Sequence, residues 1–274
     1  MAIHNLQLKV SNSYFQFKKF RIEQGQTAMK VCTEACIFGA CVDIFKILEI
    51  ENTIKILDIG AGTGILSLML AQRITEKFTE STNNQTLIDA VELEEKAFLQ
   101  AQENIKNSVF SDKIDVFNAS IQDFAEIFIK ENPKKYDLIV SNPPFFSNHL
   151  LSKTANKNLA LHTNTLSFED LAKSVSQLLH QNGTFEILLP AYEMSLFEQI
   201  AHKYNLQITK KLTIFNTEKH KENNKIFRKI CTLKFNVNVL DKNIILEGNL
   251  VIKSEENHYT DSFKGLLKEF YLHL

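Results

Sequence analysis

The sequence predicts an α/β fold: a mostly parallel sheet with helices on both faces. Three observations carry that expectation. Strand-like and helix-like patterns alternate from residue 54 onward. A glycine-rich turn, LDIGAGTG at residues 57–64, closes the first of these strands. A second break, SNPPFF at residues 141–146, closes the fourth strand and uses two of the chain's four prolines.

The elements follow in order. Ile54–Ile59 is an apolar run of buried-strand type, and Gly62–Ile74 carries apolar residues at helical spacing. Thr86–Leu93 reads as the second strand, Glu94–Lys106 as the second helix and Lys113–Asn118 as the third strand. A short helix over 121–130 leads to the fourth strand, Tyr136–Ser141. Ser167–Gln181 reads as a helix stopped by Gly183, Thr184–Pro190 as the fifth strand, and 192–204 as a further helix. The β-like runs Gln207–Phe215 and Ile226–Val237 suggest an antiparallel edge hairpin, and a short amphipathic helix closes the chain from Tyr259.

Residues 1–50 differ in pattern. Phe15, Phe17, Phe20 and Ile22 alternate with polar residues except at Lys18-Lys19, which suggests a hairpin with a bulge. Thr33 is placed to cap a helix running to about Leu48. The expected division is an N-terminal extension or lid, 1–50, and a main domain, 51–274.

Bulk composition sets outer limits. With 274 residues, 44% hydrophobic and 23% charged, the chain has the profile of a soluble globular protein of one large domain. Its start has no basic region followed by an apolar run, and no stretch approaches the length of a membrane span, so a cytoplasmic location is expected. Cys32, Cys36, Cys41 and Cys231 have neither zinc-site spacing nor a neighbouring histidine cluster; they are expected to be free thiols, with no metal. The net charge of −1 conceals an asymmetry. Between Glu49 and Glu131 there are seven Lys/Arg against fifteen Asp/Glu; between Lys203 and Lys234 there are nine against two. Such a distribution can steer a polyanion to one face, or it can be an ordinary solvated surface.

The glycines at 60, 62 and 64 let backbone approach a ligand at a helix start. Their spacing is not the dinucleotide fingerprint, and no Lys-Ser/Thr follows to make a phosphate loop. Asp58 stands two positions before the first glycine, where a carboxylate repels pyrophosphate and suits an ammonium. Glu92, at the end of the second strand, is placed to accept ribose hydroxyl protons. A ligand with a ribose, an ammonium and no phosphate is S-adenosylmethionine. Asp123 is either an acceptor for its adenine amino group or the acid of a helix N-terminus.

SNPPFF suits a planar amine. Asn142 offers a side-chain carbonyl, the Pro143 carbonyl offers a second acceptor, and neither Pro143 nor Pro144 has a competing N–H. Phe145 can stack on a base. Adenine N6, guanine N2 and a glutamine side-chain amide all meet this description.

LDIGAGTG, VELEE and SNPPFF together resemble the class I, Rossmann-like methyltransferases that act on planar nitrogens. With FQFKKFRIEQGQTAMKVCTEACIFGA (Phe15–Ala40), SLMLAQ and YTDSFKGLLKEFYLHL, the chain is similar over nearly its whole length to the bacterial tRNA1(Val) adenine-37 N6-methyltransferases. That resemblance implies a seven-stranded sheet, S-adenosylmethionine as donor, S-adenosylhomocysteine as product and a tRNA anticodon stem-loop as substrate. It implies that Asp58, Gly60, Gly62, Gly64, Glu92 and Asp123 hold the cofactor, with Lys30 and Thr33 closing over it. It makes Asn142, Pro143, Pro144 and Phe145 the acceptor site. Lys18, Lys19, Arg21 and the stretch Lys210 to Lys229 are candidate phosphate contacts. The chain departs from the family pattern at Leu161, beside His162, and at Glu34-Ala35. Alternative readings are an N2-guanine methyltransferase of rRNA, a glutamine methyltransferase of a protein such as a release factor, a DNA adenine methyltransferase, or an RNA-binding fold without catalysis. An NAD-dependent oxidoreductase fails on the glycine spacing.

Overall fold

The computed structural model describes residues 13–27, 30–44, 53–77, 86–131, 135–144, 166–236 and 245–274. The central sheet is formed by β3 (Ile54–Ile59), β4 (Thr86–Glu92), β5 (Ile114–Asn118), β6 (Tyr136–Ser141), β7 (Leu179–Leu189), β8 (Leu206–Phe215), β9 (Arg228–Phe235) and β10 (Leu246–Val251). Their spatial order is β10-β8-β9-β7-β6-β3-β4-β5. β9 runs against both β7 and β8, and every other neighbouring pair is parallel. The sheet therefore contains the seven expected strands and one more. β10 pairs in parallel with β8, so the β8–β9 hairpin is not at the edge: β9 lies between β7 and β8, and β10 covers β8.

Alternation along the strands feeds two cores. On one face Ile54, Ile56, Leu138, Val140 and Leu188 pack against α1 (Thr33–Cys41), α2 (Ile65–Lys77) and α8 (Asp261–Leu267). On the other, Leu57, Ile59, Ile139, Phe185 and Ile187 meet α4 (Ile121–Glu131), α5 (Phe168–Leu178) and α6 (Ala191–Lys203). α3 (Glu95–Lys106) adds Ile105 to the first core, and α7 (Glu218–Glu222) is a single short turn beyond β8. Successive strand residues point to opposite faces, so Asp58 faces the α2 side between Leu57 and Ile59.

The N-terminal segment joins the first core. β1 (Tyr14–Gln16) and β2 (Arg21–Glu23) pair with Phe15 opposite Ile22. Phe17, Phe20 and Ile22 are buried in the same cluster as α1, α2 and α8. Phe17 bridges to Tyr271, and the Lys18 amide donates to the Phe270 carbonyl. The N-terminal hairpin and the C-terminal segment thus close on each other.

Three local expectations are corrected. Lys18-Lys19 is no bulge: the Phe17 amide donates to the Phe20 carbonyl at 2.9 Å and closes the hairpin turn on those two lysines. Thr33 does not cap α1: the cap position is Cys32, with no side-chain bond, and the helix ends at Cys41, where a half-buried guanidinium meets its last carbonyls. Arg73 of α2 donates to the carbonyls of Gly39 and Val42, at 3.0 and 2.7 Å. Gly183 stops no helix. α5 ends at Leu178, and Gly183 sits in the irregular start of β7, where a Cβ would lie 3.0 Å from the Asp137 carbonyl oxygen.

All four cysteines are free. Burial pushes the Cys36, Cys41 and Cys231 thiols up to about 12 and that of Cys32 to about 11, so none is poised as a thiolate. Arg73→Ala is expected to lower stability by about 2–3 kcal/mol, because two helix-terminal carbonyls lose a charged donor. Urea denaturation measures this, and a loss under about 0.5 kcal/mol would mean that water replaces the guanidinium.

Candidate active site

The site is built where β3, β4 and β6 end. The register sets Ile59 beside Val91 on one side and Ser141 on the other. The buried Ser141 hydroxyl donates to the Ile59 carbonyl at 2.9 Å. Neighbouring strands lie about 4.8 Å apart, so Asn142, the residue after Ser141, starts its turn beside Gly60. The two motifs, separated along the chain by three helices alternating with three strands, meet here. Pro143 is buried, Asn142 half-buried and Pro144 exposed.

The glycine turn is held by its neighbours. Gly60, Gly62 and Gly64 have φ of 73°, 59° and 81°, the left-handed region that other residues enter at a cost. The Gly60 and Ala61 amides donate to the Val91 carbonyl, at 2.9 and 3.1 Å. The Gly62 amide donates to Glu92 Oε2 at 2.8 Å, and Glu92 Oε1 accepts from the Glu94 amide, also at 2.8 Å. Glu92 is thereby fixed with lone pairs remaining for other donors. Asn118 ties the end of β5 to this corner by donating to the Glu92 and Leu93 carbonyls, at 2.9 and 3.1 Å. At Gly64 a Cβ would stand 3.3 Å from Ile105 Cδ1, so glycine also permits the close approach of α3.

Asp58 is fully buried. Its Oδ2 accepts from the Ser67 hydroxyl at 2.7 Å, and its Oδ1 has no hydrogen-bond partner. Burial pushes this carboxyl up to about 7; the Ser67 bond opposes that and the Glu92 charge adds to it. An unpartnered carboxylate oxygen beneath the turn is costly until a cation or a proton satisfies it.

The structure brings Asp58, Gly60, Gly62, Gly64 and Glu92 into one bonded corner, with Asn142, Pro143 and Pro144 beside it. Asp123 sits in the first turn of α4, where its carboxylate accepts from Ser120 Oγ at 2.6 Å and its amide donates back at 3.1 Å. That is the capping arrangement of a helix N-terminus. Thr33, at the start of α1, lines an open cleft with Asn216, Phe227, Lys253 and Tyr259, at the far end of the sheet from β4. Lys30 is exposed. Glu34 forms an ion pair with Arg228 at 2.9 Å, each side chain 16% exposed, and Ala35 is buried in the first core. Phe145, Leu161 and His162 lie outside the described residues.

Sequence reasoning missed Ser67, Ser141 and Asn104. The first two are polar residues within apolar runs, a pattern that signals a buried partner. Asn104 carried no local signal.

Comparison with known proteins fits this geometry. The model of the methyltransferase small domain matches residues 39–166. A Dyadobacter fermentans protein named tRNA1(Val) (adenine(37)-N6)-methyltransferase is 41% identical over 262 residues, covering 95% of this chain and 98% of its own. A Cytophaga hutchinsonii protein of the same name is 38% identical over 97% of this chain and 100% of its own. This chain belongs to the tRNA1(Val) (adenine(37)-N6)-methyltransferase family. An Agrobacterium tumefaciens structure described as a predicted O-methyltransferase superposes with a TM-score of 0.58 at 14% identity, covering 86% of this chain and 95% of that one. The fold is therefore shared well beyond the family, while the NPP turn next to the glycine corner is read directly from this family member's own register.

Asp58 supplies a pH test. Its folded value, about 7, lies above the ordinary 3.8, so ionising it favours the unfolded chain. The stability it gives is fully present below pH 3.8 and lost as pH rises through about 7. Ligand-free Asp58→Asn should therefore gain on the parent protein by about 2–4 kcal/mol between acid and mildly alkaline pH. Urea denaturation across that range decides it, and parallel curves would show that Asp58 stays solvated.

Proposed function

We propose that this protein transfers a methyl group from S-adenosylmethionine to the exocyclic N6 of adenine 37 in the anticodon loop of tRNA1(Val). The observation that carries the reading is the Ile59–Ser141 pairing, which lays the Asn142-Pro143-Pro144 turn against the glycine corner.

The corner's chemistry fits the cofactor. Glu92 is fixed as an acceptor for ribose hydroxyls, and the orphaned Asp58 Oδ1 suits an ammonium. The left-handed Gly60 and Gly62 leave open space where side chains would stand. When bound, S-adenosylmethionine would supply an electrophilic methyl group and leave as S-adenosylhomocysteine.

The chain's own residues then position the amine. The Asn142 side-chain carbonyl and the Pro143 backbone carbonyl accept its two N–H groups and draw electron density toward nitrogen. The nitrogen lone pair would then be free to take the methyl group. The two prolines hold the turn rigid, so the acceptors need little reorganisation. No strong general base is needed, because the proton leaves after nitrogen becomes cationic. Phe145 would stack on the base. Asp123 is assigned to the α4 cap in preference to the adenine, and Thr33 is given no bond to the cofactor.

Adenine 37 lies in a loop, so turning it out costs less than in a duplex. The basic residues are reassigned by their partners. Lys210, Lys211 and Arg228 pair with Asp43, Glu198 and Glu34. Lys19 pairs with Glu76, and Lys18 donates to the Lys268 carbonyl. Arg21 pairs with Glu23 and covers the Tyr14 ring. Glu76 is about 17 Å along α2 from the glycine turn, which puts the Lys18-Lys19 turn away from the chemistry. Exposed Lys219, in α7, and Lys225, just after it, follow the end of β8, which runs in the same direction as β6, so they lie toward the same rim as Asn142 and are the better phosphate contacts. Residues 51–274 are taken as the methyltransferase domain and 1–50 as an extension, whose described hairpin and helix α1 pack on it. No helix among the described residues is long and apolar enough to cross a membrane. A cytoplasmic location follows from the tRNA substrate.

Label transferred from S-adenosylmethionine to unmodified tRNA should appear, after digestion, as N6-methyladenosine. Label in an rRNA guanine or a protein glutamine instead would reassign the substrate. Asn142→Ala should lose at least about a hundredfold in turnover while holding cofactor affinity within a few-fold. Full activity in that variant would remove the acceptor pair from the mechanism.

A further inference from the structure

We infer that Asn104 is a positioning residue for the cofactor corner, and that through it the N-terminal hairpin forms part of that site. The inference rests on the cofactor reading above and goes beyond it.

Asn104 lies on α3 and is 2% exposed. Its Oδ1 accepts from the Glu23 amide at 2.8 Å. Its Nδ2 donates to the Glu23 carbonyl at 2.9 Å and to the Thr63 carbonyl, also at 2.9 Å. Both amide hydrogens are used, and the carbonyl has one partner. Glu23 ends β2; Thr63 is inside the glycine turn. A single side chain therefore pins the hairpin to the cofactor turn.

The attachment has a defined shape. Glu23 gives both its N–H and its C=O to one amide, as a strand does to its neighbour. These groups face away from β1, so Asn104 extends the two-stranded hairpin by one side chain. On the other side, Asn104 holds the Thr63 peptide immediately before Gly64, whose φ is 81°. Ala101 and Ile105, on the same face of α3, lie within 3.6 Å of the Cβ position at Gly64. The turn is thus gripped twice, at the Gly62 amide by Glu92 and at the Thr63 carbonyl by Asn104.

The hairpin passes this constraint onward. Buried Gln24, next to Glu23, accepts from the Val31 amide at 2.7 Å through its Oε1, which fixes the approach to α1. The path from Thr63 through Asn104, Glu23 and Gln24 to Val31 is continuous and mostly buried. A corner preorganised in this way binds without ordering its own backbone, and loosening it weakens binding.

Asn104→Asp keeps the shape but removes the donor to both carbonyls. Glu23→Pro removes the Glu23 N–H together with the surface ion pair to Arg21, leaves Thr63 untouched, and serves if the first variant folds poorly. Each is tested by calorimetric titration with S-adenosylmethionine, well below its melting temperature, alongside steady-state methyl transfer. The expected result for Asn104→Asp is an approximately tenfold rise in Kd and in KM for S-adenosylmethionine, with kcat within about threefold. Glu23→Pro should raise Kd by a smaller factor in the same direction. A purely structural role would lower the melting temperature and leave the affinity of the folded protein unchanged, which would overturn the inference. Absence of S-adenosylmethionine binding by the unsubstituted chain would instead overturn the cofactor reading, and this inference with it.

Discussion

The parallel pairing of β3 with β6 places the Ile59 carbonyl against the Ser141 hydroxyl, and the rest of the site is arranged around that seam. A slip of one residue in a strand exchanges its two faces. Asp58 would then leave Ser67 and enter the core of Phe185 and Ile187, and an Ile would take its place under α2. The register is therefore specified by the cost of burying a carboxyl among apolar side chains as well as by the fit of Leu57 and Ile59. The residue that faces the glycine corner is also one that fixes where the Asn142-Pro143-Pro144 turn begins.

Two buried acids show how one fold uses the same strain differently. Burial raises both Asp58 and Glu186 to about 7. Glu186 accepts from the Asp43 amide at 3.1 Å and has Lys210 and Arg73 near it, so its surroundings are closed by the protein itself. Asp58 has Ser67 on one oxygen and nothing on the other. The first acid holds the segment after α1. The second leaves a need that a cationic ligand group would meet, and a buried acid with one unpartnered oxygen marks a candidate functional site.

The sheet and the corner were legible in the sequence because they rest on short-range signals. Alternation marked β3, β4 and β6, and the glycine turn with Asp58 and Glu92 marked a corner that the structure brings together. What escaped was set by tertiary partners. Thr33 looks like a cap, yet Cys32 takes the cap position, and the carbonyls at the far end of that helix are held by Arg73 from another element. Gly183 looks like a helix stop, yet it serves a close approach to the Asp137 carbonyl. Lys210, Lys211 and Arg228 look like a basic track, yet Asp43, Glu198 and Glu34 neutralise them across the fold. Asn104 had no local pattern, since its partners are 41 and 81 residues away.

These long-range partners change what the N-terminal hairpin is for. Its lysine turn is tied to α2 and to the chain's end, and its other end is tied to the glycine turn. A piece held at both ends, with Phe17, Phe20 and Ile22 in the main core, cannot swing as a lid without breaking that core. Opening it would expose three large apolar side chains, at roughly 2 kcal/mol each. That exceeds what a small differential affinity can supply. The hairpin is therefore a fixed brace behind the glycine turn.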